Sequence, residues 1–441
     1  VQVNQRKYVL MVIYKFGGAS VKNAEGVVNL TNIVYTRQQA RVVVLSAFGK
    51  TTNQLEKLAG FIYHKDRSGF RQQLRLLRDY HYQIMQELFA SDDLVYEGVQ
   101  SSFNWLQEAF DREWHSYDYL YDQVVSIGEL LSTYVVAHYL ERTGLTCRLV
   151  DMREHLITDD TYREAQVNWE ASSRRIIRNF QPRDNELILT QGFIGGSMKG
   201  ASTTLGREGS DYSAAILAHI LDAGSLVIWK DVPGVLNADP RFFSGTQKLG
   251  RISYQEAIEL AYYGAKIIHP KTIKPLQNKG IPLNVRSFIE PDQPGTWIGD
   301  YPDYDGAVPI FIIKNQQVLI SVLPKDYSLV VEEQLSKIYG LFAKNRVKVN
   351  MMQHSALNFS VCMDDTAGVS SLMSDLREDY RVLYNKGLQL MTVRHYTEQI
   401  VRDVQKYRRI LVEQRSRHTA QFLMETTSSP MPDNLIGYNG R

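Results

Sequence analysis

The stretch that decides the fold runs Glu186-Leu-Ile-Leu-Thr-Gln-Gly-Phe-Ile-Gly-Gly-Ser-Met-Lys-Gly200, then Ala201-Ser-Thr-Thr-Leu-Gly-Arg-Glu-Gly-Ser-Asp211, then Tyr212-Ser-Ala-Ala-Ile-Leu-Ala-His-Ile-Leu-Asp222. Its first residues, Glu186–Thr190, read as a buried strand. A glycine-rich loop follows, and Ala214–Asp222 reads as an apolar helix. Working outward, Val12–Phe16, Arg41–Ser46 and Ser225–Lys230 read as further strands, each running into a polar loop. Glu25–Gln39 is helical between the first two. This alternation predicts an α/β domain with a mainly parallel sheet sandwiched by helices. Ligands of such sheets bind beyond the carboxyl ends of the strands.

Composition sets the limits. At ~150 residues per domain, 441 residues suggest about three domains. Hydrophobic residues make up 44% and charged ones 22%, which excludes a wholly disordered chain. Lys+Arg 50 against Asp+Glu 48 leaves a formal charge of +2, too little for a dedicated nucleic-acid binder. The basic stretch Arg394–Arg417 also carries Glu398, Asp403 and Glu413, and reads as a solvated helix and a charged edge strand. Two cysteines, Cys147 and Cys362, make neither a disulfide framework nor a cysteine-rich metal site, and point to a reducing, cytoplasmic setting. No apolar run approaches the roughly 20 residues of a membrane span. Residues 1–10 fit no element, and Met11 is the expected natural start.

Residues 61–120 carry apolar positions at helical spacing (Leu74, Leu77, Tyr80) and are expected to be a helical insertion in a catalytic domain spanning 11–300. Turn-rich sequence near residue 300 marks a boundary. Beyond it the expected order is strand Val318–Val322, helix Val330–Asn345, strands Val347–Gln353 and Asn358–Met363, helix Gly368–Tyr380, and a strand from Leu388 to His395. That is a small α+β unit over 310–387, followed by a shortened second unit over 388–424 and a tail over 425–441.

Six motifs carry chemistry. Tyr14-Lys15-Phe16-Gly17-Gly18-Ala19-Ser20 follows a strand; its glycines let backbone N–H groups approach an anion, and Lys15 adds a charge. It is neither a Walker A loop nor G-x-G-x-x-G. Ser46–Asn53, with Thr52, is a polar loop that can bind a small ligand or simply form a Ser/Thr turn. Ser126-Ile-Gly-Glu129 opens a helix, where an acid usually serves the dipole unless a cation binds there. Arg207 offers a fork for a carboxylate or phosphate. Ser210 and Asp211 stand at a helix start, where an N-cap role is the ordinary alternative. Trp229–Arg241 contains Lys230, Asp231, Leu236 and Arg241 in what is otherwise an ordinary polar loop. Gly264–Lys271 holds Lys266, a second candidate phosphate lysine. It also holds His269, which reads as structural.

In this order the motifs closely resemble those of the aspartate kinases, a branch of the amino-acid kinase family. The matching pieces are Lys-Phe-Gly-Gly-Ala-Ser, Leu-Ser-Ala with Thr-Thr-Asn, Gly-Glu-Leu-Leu-Ser, Gly-Arg-Glu-Gly-Ser-Asp-Tyr-Ser-Ala, Asp-Val-Pro-Gly-Val with Asp-Pro-Arg, and Gly-Ala-Lys-Ile-Ile-His-Pro. The C-terminal region resembles that branch's ACT (ferredoxin-like) regulatory region. The resemblance implies phosphorylation of the β-carboxylate of L-aspartate by ATP, with Mg²⁺ carried on the nucleotide and no resident metal. The product would be 4-phospho-L-aspartate, leading towards lysine, threonine, methionine and diaminopimelate.

Residue by residue, the resemblance implies that Lys15, Asp211 and Lys266 are catalytic. Gly17, Gly18, Ser20, Lys230, Asp231, Leu236 and Arg241 would join Lys15 and Lys266 along ATP. Thr52, Glu129, Arg207 and Ser210 would hold the amino acid. It also implies a homodimer through ACT-type units, with no nucleic-acid or membrane partner.

The chain departs from the pattern in places. Ala19 replaces a usual Thr. Lys230 also stands where Thr is common, and its ammonium could meet phosphate or point to solvent. Leu236 replaces an aromatic. Asn350 has no charge to offer an effector's ammonium. Two rivals are a sister kinase for another substrate, against which Glu129 argues, and a non-catalytic amino-acid sensor. The sensor would be expected to have lost Lys15, Asp211 or Lys266.

Overall fold

The computed structural model describes residues 11–37, 39–326 and 328–426, so the expectations for residues 1–10 and for the tail beyond 426 fall outside it. The chain forms two compact units. One comprises the residues up to Val235 together with Leu249–Ile258 and Ile267–Asp303. The other comprises Leu236–Lys248, Glu259–Lys266 and everything from Tyr304. Two short segments of the 11–300 region thus go with the second unit.

The first unit is built on an eight-stranded sheet in the order Cys147–Val150, Leu187–Gln191, Ala40–Leu45, Val12–Phe16, Ser225–Lys230, Leu283–Ser287, Thr296–Gly299, Arg251–Ser253. Every neighbouring pair is parallel except Leu283–Ser287 with Thr296–Gly299. Val42, Val43, Val44 and Leu45 are fully buried, as a strand covered on both faces requires. On one face Tyr14, Phe16, Val43, Leu45, Leu189 and Trp229 enter the main core, with Phe16 stacked on Trp229 at 5.9 Å. On the other face lies the helix Gly209–Ile220, which is buried almost all round and correspondingly rich in Ala and Ile.

Residues 51–125 form four helices, Thr51–Tyr63, Arg67–Leu88, Val95–Asp111 and Tyr117–Val125. Two of them start on side-chain caps, with Asp66 accepting from the Gly69 N–H and Ser116 from the Tyr119 N–H. Among the described residues no helix is long and apolar enough to cross a membrane.

The second unit contains a six-stranded antiparallel sheet, ordered Val349–Ser355, Asn358–Asp364, Ile310–Pro324, Tyr380–Arg394, Thr419–Glu425, Ile410–Arg415. Helices Glu332–Lys344 and Ala367–Asp379 cover one part, through Ile338, Phe342, Leu372 and Leu376. Helix Glu398–Tyr407 covers another with Ile400, Val401 and Val404.

The two central strands are 15 residues each, far longer than the sequence suggests. The polar run Lys314-Asn-Gln-Gln317 hides the first one's continuity. It contains a bulge, with register slips around Gln317 and positive φ at Gln316. In the partner strand Gly387 takes φ +70°, a conformation glycine adopts without steric cost.

Candidate active site

Four neighbouring parallel strands end side by side, and their exits are the loops after Phe16, Leu45, Gln191 and Lys230. The first two loops touch. The Gly49 N–H donates to the Gly18 carbonyl at 3.0 Å, and a Cβ on Gly18 would fall 2.6 Å from the Ala47 carbonyl oxygen. Only glycine at position 18 lets the two loops come this close. Ser20, buried beneath, donates to the Trp229 carbonyl at 3.5 Å.

Strand parity sets the charged centre. Lys15 pairs in register with Ile228, and Lys230 lies two residues further on the same face. That face meets the first turn of the helix Gly209–Ile220, which carries Asp211. Lys15 Nζ stands 2.6 Å from Asp211 Oδ1, and Lys230 Nζ stands 3.5 Å from Oδ2. The Lys15–Asp211 contact is an ion pair off the ideal hydrogen-bond direction. Burial alone would raise the Asp211 pKa, but the two ammoniums outweigh it and hold the carboxyl below its usual range. Lys230 also donates to the Ile267 carbonyl.

Ser210 and Asp211 do not cap this helix; the cap position is Glu208, which adopts φ +54°. Close packing fixes the helix start. A Cβ on Gly192 would meet Ser210 Cβ at 2.6 Å, while Ser213 Oγ accepts from the Phe193 N–H and donates to the Gly209 carbonyl.

Glu129 lies in the first turn of helix Ile127–Arg142, fully buried. Its Oε1 accepts from the Ala47 N–H at 3.3 Å, and Oε2 has no partner among the described residues. Burial pushes its pKa up to about 8, against the opposing pull of the Ala47 N–H and Lys15. Arg207 is exposed in the turn before Asp211 and meets no carboxylate among the described residues. Thr52 is half-buried in the first turn of its helix.

The sequence reading passed over Thr51, whose hydroxyl is buried with no described partner and whose Cγ2 lies against Gly128. A signal for it existed: Thr51 opens the helical stripe Thr51, Leu55, Leu58, Ile62, and Thr52 lies off it. Asp122 was also missed. It accepts from the Arg163 N–H, the Thr204 N–H and the Thr204 hydroxyl, and so ties its helix to a turn and to the end of the strand Ser202–Thr204.

The remaining predicted residues do not join this cluster within the first unit. Asp231 is in the first unit, exposed after its strand. Leu236, Arg241 and Lys266 belong to the second unit. There Arg241 forks onto Asp239, with its Nε 3.0 Å from Oδ1 and a terminal nitrogen 2.6 Å from Oδ2. Lys266 is exposed in a bend. His269 accepts from the Lys271 N–H at the start of helix Pro270–Gln277. Among the described residues no group of three or more His, Cys, Asp or Glu side chains could hold a metal ion.

The chain is similar to known proteins over most of its length. Lysine-sensitive aspartokinase 3 of Escherichia coli (strain K12) is 31% identical over 398 residues, covering 87% of this chain and 86% of that one. The crystal structure of E. coli aspartokinase III in complex with aspartate and ADP superposes with a TM-score of 0.80 at 28% identity, over 94% of this chain and 96% of that one. The same enzyme in complex with lysine and aspartate gives 0.82, over 97% and 98%. The model of the amino acid kinase family matches residues 11–287, the span that carries the two lysines on one buried aspartate, and the chain belongs to that family.

Proposed function

We propose that the chain is an aspartate kinase, transferring the γ-phosphoryl group of ATP to the β-carboxylate of L-aspartate to give ADP and 4-phospho-L-aspartate. The observation that carries the choice of substrate is Glu129: a fully buried carboxyl group, one oxygen of which has no partner among the described residues, can ionise against a bound cation, and a free α-ammonium supplies one. The similarity to aspartokinase 3 of E. coli supports the same reading.

The chemistry asks for little proton handling. A side-chain carboxyl with a pKa of ~3.9 arrives ionised. Its oxygen attacks the γ-phosphorus, the bond to the bridging oxygen breaks, and ADP leaves with that oxygen. The difficulty is bringing two anions together in line, so the protein must supply fixed positive charge and alignment. Lys15 and the Gly17 and Gly18 N–H groups would face the phosphates, with Lys266 as the second lysine. Asp211 holds Lys15 in place. Ser20, Lys230, Asp231, Leu236 and Arg241 would line the nucleotide. Arg207 would take the α-carboxylate, and Thr52 and Ser210 would complete the amino-acid pocket. Both Asp211 oxygens already face ammoniums, which fits a metal ion that travels on the nucleotide rather than one resident in the protein. Mg²⁺ would offset charge on the phosphates when ATP is bound.

In this proposal residues 11–300 are the catalytic region, with 61–120 its helical insertion. Residues 310–387 and 388–424 are ACT-type units that pair two copies of the chain. The enzyme would work in the cytoplasm at the head of lysine, threonine, methionine and diaminopimelate synthesis. The alternation of strands and helices from Ile310 to Glu425 supports the ACT reading.

The test is ADP release from ATP·Mg²⁺ with L-aspartate, hydroxylamine being present to trap acyl phosphate, alongside Lys15→Ala. Aspartate-dependent turnover that disappears in the variant is expected. Turnover only with another acid would identify a sister kinase. Amino-acid binding by calorimetry with no ADP from any substrate would identify a sensor.

A further inference from the structure

Lys230 occupies an unusual position for a lysine expected to bind phosphate, because its ammonium is already engaged inside the protein. It closes the strand Ser225–Lys230, on the face shared with Lys15. Nζ faces Asp211 Oδ2 at 3.5 Å and donates to the Ile267 carbonyl, one residue beyond Lys266 in the chain. The side chain is about four-fifths buried. Asp211 is therefore shared, with Lys15 on one oxygen and Lys230 on the other.

The charges show what this sharing does. Lys15 and Asp211 alone would be a neutral pair, its cation committed to its own partner. With Lys230 the group carries one net positive charge in a buried setting, where Coulomb terms are far stronger than in water. Asp211 remains ionised, and the Lys15 ammonium keeps a surplus to direct at an incoming anion. The contact with Ile267 also fixes the backbone just after Lys266.

We infer that Lys230 is a positioning residue: it shares Asp211 with Lys15 and pins the Ile267 carbonyl, serving phosphoryl transfer through Lys15 rather than by touching the nucleotide. This rests on the kinase reading above and reassigns one of its nucleotide-lining residues.

The experiment uses the full chain with Lys230→Met, Lys230→Thr and Lys230→Arg, each checked for folding by circular dichroism. It has two arms, steady-state kinetics with L-aspartate and ATP·Mg²⁺, and calorimetric binding of ADP·Mg²⁺. A misplaced catalytic cation should lower kcat by about 10- to 100-fold in the Met and Thr variants. The KM for ATP and the Kd for ADP should stay within about threefold of wild type, because a residue that acts through another leaves nucleotide affinity intact. The Arg variant should recover most of the lost kcat. If instead the KM for ATP and the Kd for ADP rise tenfold or more while kcat holds, Lys230 is a phosphate ligand and the inference is wrong. Wild-type values in both arms for the Met variant would also overturn it. Should the wild-type chain show no aspartate-dependent turnover, the kinase reading fails separately, and the ADP arm still reports whether Lys230 touches nucleotide.

Discussion

Glu129 leans on the backbone of Ala47, accepting its N–H at 3.3 Å through one carboxyl oxygen while the other oxygen has no partner among the described residues. Burial raises its pKa to about 8, so at pH 7 the unliganded protein holds the proton. A substrate ammonium binds the ionised form, so L-aspartate binding at pH 7 should release about one proton. Calorimetry in two buffers of different ionisation enthalpy measures this, and a buffer-independent heat would contradict it. The sign for stability follows. A carboxyl raised in the folded state contributes most below its unfolded value of about 4.5, and that contribution is lost as pH rises through about 8. Glu129→Gln should therefore melt higher than wild type above pH 8 without substrate, and should bind aspartate poorly.

Asp211→Asn keeps the shape and removes the charge between two ammoniums. A broken buried pair costs about 3–5 kcal/mol. We expect a drop of several degrees in melting temperature at pH 7 and a loss of about 100-fold or more in kcat. A variant as active as wild type would mean Lys15 needs no anchor.

Gly192→Ala tests the close approach of two loops. The new Cβ would lie 2.6 Å from Ser210 Cβ and 2.8 Å from its Cα, and the latter is backbone that cannot swing away. Overpacking of this kind costs about 1–3 kcal/mol. Because the displaced residue neighbours Asp211, kcat/KM for aspartate should fall with stability. Denaturant midpoints and kinetics on one preparation check both.

Asp122→Ala removes the acceptor of three donors, the N–H groups of Arg163 and Thr204 and the Thr204 hydroxyl. Leaving buried donors unpaired costs about 1–3 kcal/mol each before relaxation, so the domain should unfold at markedly lower urea. Asp122→Asn, which retains one acceptor oxygen, should cost less. Equal midpoints for the two variants would rule out the hydrogen bonds as the cause.

Asn350 is engaged from within: the Lys314 ammonium donates to its Oδ1 at 2.8 Å, and its Nδ2 donates to Gln317 and Asp364. An effector lysine would have to displace that network and would find no carboxylate on Asn350. We expect L-lysine titrated into the aspartate assay to leave turnover unchanged. Cooperative inhibition would refute this.

The lysine–aspartate cluster was partly legible because strand ends are legible. Val12–Phe16 and Ser225–Lys230 form with the bounds the pattern indicates, and Lys15 and Lys230 within them therefore converge on Asp211. The inward turn of Lys230 was available in principle. Leu226, Ile228 and Lys230 alternate with Val227 and Trp229, so Lys230 shares a face with Lys15 once the register is known. Register is a long-range property, and one chain read alone does not contain it. The hydroxyls of Thr51 and Thr52 differ by one residue of helical phase, which depends on where the helix begins. Arg241 is already held by the Asp239 fork two residues earlier, a local contact that competes with any ligand.

The two 15-residue strands Ile310–Pro324 and Tyr380–Arg394 pair with each other along almost their whole length, bulge included. A cut in the chain near residue 387 would therefore sever a strand in mid-sheet rather than a linker. Neither half would keep a complete set of backbone partners, and each would expose a raw edge ready to stick to other chains. Fusions, truncations and limited proteolysis should respect this region as a single indivisible plate, whatever number of ancestral repeats its sequence suggests.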